Sequence, residues 1–328
     1  MEVGDDWELC FPELGNISCW KPQSIWPETL LTVVLYSISV LTAVLNLLII
    51  ISVSHFRQLH TPTNILLLSL AVSDLLVGLL VMPVEIFQIS SCWFLGDLMC
   101  SLYYYVSYII LSASVGDMVL ISVDRHVAIC DPLHYTTRIT VNRVKVCVCL
   151  VWLCSFAYNS LFLNLDLIEK EIFVFCDGVC EALSDSSAAN VDLVLNFITP
   201  ITVIIVLYTR VFVVAVSQAR AMRSHFTAVT KQISVTKTAK KSELKAARTL
   251  GVLVVVFLMC FSPFYCINLV GHSSFDYSTA FFVTYLFFFN SCLNPLIYAF
   301  FYPWFRKTVK LIVTLQILQP GSCEANIL

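Results

Sequence analysis

The stretch VLISVDRH at residues 119–126 sets the reading of the whole chain. An apolar run ends abruptly in Asp124-Arg125-His126, three polar side chains in a row. A second run, SCLNPLIY at residues 291–298, ends in Asn294, Pro295 and Tyr298. Neither lipid nor packing calls for a charged arginine or a proline-broken polar cluster at such positions. A part that switches does. Working outward, both runs belong to a series of seven long apolar spans, at roughly 28–54, 63–90, 98–123, 144–166, 188–216, 246–271 and 279–301. Each is long enough for the ~20 residues that a membrane helix needs.

Composition agrees with an all-α membrane protein. Of 328 residues, 59% are hydrophobic and 12% charged, where a soluble domain carries about 25% charged residues. The expected organisation is a polar tail over 1–27, a seven-helix bundle over 28–301, and a short amphipathic helix with a tail over 302–328. The first 27 residues hold no apolar signal-peptide core, so the first span is expected to serve as its own insertion signal. Of the 19 Lys and Arg, only Lys21 and Lys170 fall on the N-terminal side of the membrane. That asymmetry puts the N-terminus outside and the tail in the cytosol of a multi-pass cell-membrane protein. Most carboxylates flank the outer face, Glu2, Asp5, Asp6, Glu8 and Glu13 among them, so the mouth attracts cations.

Six of the 14 cysteines, at 10, 19, 92, 100, 176 and 180, lie on the outer side. An even number in an oxidising compartment points to three disulfides, whose connectivity the spacing leaves open. The remaining cysteines lie in spans or cytosol and are expected to be free. Asn16-Ile17-Ser18 is a glycosylation sequon on the outer tail. After the seventh span, Tyr302 to Lys307 begins the amphipathic stretch that lies along the inner lipid surface. Cys323 follows it, and is either a palmitoylation site or an ordinary thiol.

Several classes are disfavoured. No Ser/His/Asp grouping, His-x-x-x-His spacing or Gly-rich phosphate loop argues for an enzyme or a nucleic-acid partner. Residues 279–301 contain no lysine to hold retinal. No repeat symmetry suggests a transporter.

The chain resembles the rhodopsin-like G-protein-coupled receptors. The residues that carry the likeness are Asn46, Leu70-Ala71-Val72-Ser73-Asp74, Asp124-Arg125-His126, Trp152, Pro200 with Tyr208, Cys260-Phe261-Ser262-Pro263, and Asn294 to Tyr298. Within that class Cys176 with Cys180, Cys19 with Cys92, and Phe300 to Lys307 look like the trace amine-associated receptors. The resemblance implies disulfides Cys100–Cys180, Cys10–Cys176 and Cys19–Cys92, and coupling to a stimulatory G protein that raises cAMP. At the inner end it implies a latch. Arg125 stays charged and must pair, with the adjacent Asp124 and with Glu243 at the start of the sixth span. Tyr208 and Tyr298 complete the coupling end. Phe257, Phe261, Pro263 and Pro200 form the implied switch, with Phe261 where most of the class has tryptophan. His126 replaces the usual tyrosine.

In mid-membrane Asp74 is a carboxylate in an apolar run, costly unless used. With Ser114, Asn290 and Asn294 it resembles a sodium site, whose oxygen ligands suit a hard cation. The other reading is a protonated, hydrogen-bonded Asp74. Asp117 is a second mid-span acid, read as hydrogen-bonded or neutral in the contact between the third and fourth spans. No other cofactor is implied.

The outer pocket departs from its relatives. Biogenic-amine receptors carry an aspartate seven residues after the disulfide cysteine of the third span, and counting from Cys100 gives Ser107. The tyrosine that would bond that aspartate is replaced by Phe288, so the two losses fit one another. A substitute acid is Asp192, eight residues before Pro200 and therefore ~12 Å above it. An isolated charge among apolar neighbours is unfavourable unless paired, and a ligand ammonium would supply the pair. In this the chain looks like fish olfactory members of the family. Asp192 snorkelling to water or bonded to Tyr108 is the alternative. Glu85, following Met82-Pro83, is either a second cation subsite for a diamine or a structural acid. Tyr103, Tyr108, Phe197, Phe264, Tyr265, Thr284 and Phe288 are the expected wall of the pocket, whose rings favour cations. The expected ligand is a protonated alkylamine or diamine odorant, with a serotonin-like amine or a non-amine odorant as the alternative.

Overall fold

The computed structural model describes residues 9–19, 28–169, 178–180, 186–226, 235–270 and 277–327. Helix dominates, as it must where lipid offers no partner for backbone N–H and C=O groups. The first span is α1 (Glu28–His55). The second is α2 (Pro62–Leu76), a wide π turn at Val77–Val81, and α3 (Met82–Ser90). The third is α4 (Gly96–Cys130), followed by the short α5 (Pro132–Arg138). The fourth is α6 (Val141–Glu169). The fifth is α7 (Ser186–Asp192), a second π turn at Leu193–Ile198, and α8 (Thr199–Phe226). The sixth and seventh are α9 (Val235–Val270) and α10 (Tyr277–Phe301), and α11 (Pro303–Val313) runs on beyond them. Seven of these stretches are long and apolar enough to cross a membrane.

Both π turns lie beside a proline, Pro83 and Pro200. A proline has no N–H to give and its ring clashes with the carbonyl four residues back. Widening the turn by a residue relieves the clash, and such bulges recur at functional sites. Elsewhere local chemistry sets the ends. Thr61 caps α2 by accepting from the Asn64 N–H at 3.3 Å, with Pro62 in the first turn.

The bundle packs around α4, which touches α2, α6, α8 and α9. Close approach of the first two spans depends on Gly78, where an added Cβ would meet the Ala43 nitrogen at 2.9 Å. Ser39 donates to the Gly78 carbonyl at 2.6 Å across the same contact. Phe212, Val213, Met259 and Phe282 stay exposed on the outside of the bundle, as side chains facing hydrocarbon should. The end carrying Arg125 is called the inner end below. There α11 turns Trp304, Phe305 and Thr308 inward, and Thr308 bonds Ser52 of α1 at 2.8 Å. The segment beyond folds back onto the first loop. His55 bonds Ser322 at 2.9 Å, the Ile327 N–H donates to Gln58 at 3.1 Å, and Ile327 is buried.

At the outer end Cys100–Cys180 is present as expected. The other two pairings are corrected. Cys10 bonds Cys92, not Cys176, which displaces the expected Cys19–Cys92 bond. Cys19 is also disulfide-bonded, and Cys176 lies outside the described residues. The reason is a tight fold of the outer tail. The Cys10 N–H donates to the Cys19 carbonyl at 2.9 Å, and the Trp93 N–H donates to Gly178 at 2.8 Å. Gly178, at φ +113°, brings its backbone so near that a Cβ there would sit 2.5 Å from the Cys10 Cβ. Only glycine permits both the dihedral and the contact, and together they set Cys10 against Cys92. Asn16 falls in a short 3₁₀ turn, Pro12–Ile17; its side chain lies outside the described residues.

Candidate functional site

Asp192 ends α7, immediately before the wide turn of the fifth span, and is half-buried. Its carboxylate accepts from the Asn196 amide at 2.7 Å and from the Tyr265 hydroxyl of the sixth span. Tyr158 lies within electrostatic reach of Asp192, and both Tyr108 and Tyr158 lie within reach of Tyr265. Among the described residues no Lys, Arg or His pairs with Asp192; the ion pairs all lie at the inner end. Glu85 sits one turn above the other wide turn. It accepts from Tyr103 at 2.6 Å, and Tyr103 also reaches the Val81 carbonyl at 3.3 Å. Ser107 is buried and bonded to Tyr103. Glu85, Tyr103 and Ser107 therefore form one cluster, and Asp192, Asn196 and Tyr265 another.

Rings fill the space beneath. Phe197 stacks on Tyr265 with centroids 4.4 Å apart, and Phe264 meets Phe287 at 4.7 Å. Phe287 meets Phe261 at 4.3 Å, and Phe261 meets Phe257 at 4.2 Å. A continuous ladder thus runs from the partner of Asp192 down the sixth span. Phe288 is buried against Phe287 and Tyr285. Thr284 is half-buried, Tyr108 is 41% exposed and stacks on Tyr104, and Pro200 is buried. Sequence reading missed Phe287, the hub of this ladder, because its neighbours come from another helix. It also missed Asn196, whose spacing of four from Asp192 was a usable signal.

In mid-membrane Asp74 is fully buried and accepts from Asn294 at 2.9 Å and from Ser291. Its second oxygen, and the side-chain carbonyl oxygens of Asn46, Asn290 and Asn294, have no hydrogen-bond partner among the described residues. Ser114 is buried on α4. No cluster of three or more His, Cys, Asp or Glu is found among the described residues. The orphaned set is oxygen-only, the chemistry a hard cation prefers. Asp117 bonds Ser69 of the second span at 2.6 Å, and Trp152 of the fourth donates to that same hydroxyl at 3.1 Å. The expected contact between the third and fourth spans therefore runs through the second.

At the inner end Arg125 donates to Asp124 through Nε at 2.8 Å and also through Nη2. Thr63 and Tyr135 donate to the same carboxylate at 2.9 and 2.8 Å. Tyr135 reaches back from α5, outside the span. Burial pushes its phenol above the usual range, with the Asp124 carboxylate adding to the shift, so it serves as a donor. Burial likewise raises Tyr302. Tyr208 and Tyr302 lie within electrostatic reach of Arg125, and Tyr298 is buried. Glu243 is on α9, but its side chain lies outside the described residues. Pro263 sits within α9, two residues beyond Phe261.

Seven packed spans, a paired arginine at the inner end of the third and a proline-broken seventh define a receptor rather than an enzyme. The match of residues 45–298 to the 7 transmembrane receptor (rhodopsin family) bears this out. More narrowly, the chain belongs to the trace amine-associated receptors. It is 38% identical to trace amine-associated receptor 13c of Danio rerio, over 98% of this chain and 97% of that one. It is 36% identical to receptor 4 of Mus musculus over 100% and 99%, and 37% identical to receptor 5 of Rattus norvegicus over 95% and 93%. Membership makes the chain a multi-pass receptor for a small molecule that couples to a G protein.

Proposed function

We propose that this receptor is an olfactory sensor of protonated amines, displayed on the cell membrane with its N-terminus outside, and that Asp192 takes the ammonium. One observation carries the reading. Asp192 is oriented by Asn196 and Tyr265 yet has no basic partner among the described residues. A charge-assisted bond from an ammonium completes it, at about 1.5–3 kcal/mol. Glu85 offers a second cation subsite for a diamine. The tie to Tyr265, and the ring ladder below it, give the ammonium a physical link to Phe261 and the sixth span. Outward motion of that span would uncover Arg125 to a stimulatory G protein and raise cAMP. The names of the relatives support the ligand class. A sodium ion would suit the orphaned oxygens of Asp74 and Asn294, with Asn290 and Ser114 as the further ligands proposed for it.

The test is an amine screen on cells carrying a cAMP reporter, run at two pH values around each amine's pKa. Potency should follow the protonated fraction. Asp192→Ala should abolish alkylamine responses at unchanged surface expression. Glu85→Gln should weaken diamines alone. Unchanged potency in Asp192→Ala would remove the acid from the account.

A further inference from the structure

Beyond α11 the chain turns back twice and docks on the loop that follows the first span. Leu315 makes one reversal at φ +56° and Gly321 the other at φ +80°. Glycine holds that conformation freely, but a leucine adopts it only where its surroundings impose it. The contacts beyond it are specific. Ser322 donates to the Ile317 carbonyl at 2.6 Å, which leaves its oxygen to accept from His55 Nε2 at 2.9 Å. The Ile327 N–H donates to the Gln58 side-chain carbonyl at 3.1 Å, and Glu324 meets Arg57 at 3.5 Å.

These ties differ in weight. Arg57 and Glu324 are 73% and 72% exposed, so water screens the pair. Ile327 is 2% exposed and joins the apolar core that holds the fully buried Phe56 and Leu59. It is the anchor. Docked there, the tail closes a ring. The first span leads into the loop, the loop holds the tail, and the tail runs back to α11. Thr308 of α11 bonds Ser52 of α1 at 2.8 Å. Tyr302 alone separates α11 from α10, and that joint is pinned: its N–H donates to the Tyr298 carbonyl at 2.8 Å, and Arg306 donates to the Ala299 carbonyl at 2.7 Å. Movement of α11 and the inner end of the seventh span away from α1 must therefore stretch or open the tail.

We propose that residues 314–327 are a clasp that holds α11 and the inner end of the seventh span against the first, and that it restrains coupling until the tail lets go. The restraint rests on the coupling role given to Tyr298 above; the clasp does not.

The experiment follows hydrogen exchange in the full chain, purified in nanodiscs with no amine added. The amides of Ser322, Glu324, Ala325 and Ile327 are all bonded in the docked tail, and in the wild type they should exchange slowly. Ile327→Asp should speed exchange over residues 322–327 about 10- to 100-fold, the scale of losing one buried isoleucine. Gln58→Ala changes an exposed loop residue and should speed it about fivefold by removing one acceptor. Arg57→Ala should do less. In Ile327→Asp, exchange across Pro303–Val313 should rise as well, and so should amine-independent GTPγS uptake by purified G proteins of one α class. A wild-type tail exchanging as fast as free chain would overturn the clasp. So would equal protection in Ile327→Asp and Gln58→Ala. A freed tail with α11 exchanging as before would overturn the hold on α11, and uptake unchanged in every α class would overturn the restraint. Which α class responds tests the stimulatory reading separately.

Discussion

Asp124 and Asp192 are the same residue near the ends of two neighbouring membrane helices, and their surroundings are opposites. Asp124 is closed on itself: Arg125 supplies the charge, and Thr63 and Tyr135 fill the remaining lone pairs. Asp192 receives two neutral donors and no countercharge among the described residues. A completed pair holds a shape, while an incomplete one waits for something to arrive. The inner acid is therefore completed by its own chain, whereas the outer one is left, on the function proposed above, for a ligand to complete.

The comparison breaks most visibly at the inner end. Asp124→Ala strands the Arg125 guanidinium, which is 14% exposed, and removal of one partner from a buried pair costs about 3 kcal/mol or more. The melting temperature of the purified receptor should fall by several degrees; a shift under one degree would mean Asp124 is not the closed partner it resembles. Asp192→Asn keeps the shape and loses the charge. It should leave the melting temperature nearly unchanged while raising the half-maximal amine concentration about 10- to 100-fold. If stability fell and potency held, the two acids would have exchanged roles. The smallest effect is expected for Tyr265→Phe, which removes one hydroxyl from Asp192 and keeps the stack on Phe197. Loss of about 1 kcal/mol of orientation corresponds to roughly fivefold in potency, and a dose-response curve unmoved by the change would detach Tyr265 from the site.

Much of the fold was open to reading because lipid imposes a one-dimensional rule. A helix must stay apolar for its whole crossing, so α1 and α10 began and ended within a few residues of their apolar runs. Asp192, Glu85 and Asp74 were visible for the same reason: a carboxylate in such a run is conspicuous. What lay hidden depends on folding in three dimensions. Tyr135 returns to Asp124 only because α5 doubles back. Phe287 becomes a hub only when the sixth and seventh spans pack. The Cys10–Cys92 bond follows from a backbone approach at Gly178 that cysteine spacing does not encode.

The widened turn at Leu193–Ile198 separates the outer part of its span from the inner part. Each residue added to or removed from a helix rotates everything beyond it by about 100°. One codon gained or lost between Asp192 and Pro200 would therefore swing the acid from the bundle interior toward the acyl chains, while the half that meets the G protein kept its bearing. If Asp192 takes the ligand as proposed, an insertion there would alter ligand preference while leaving the inner half of the span in place.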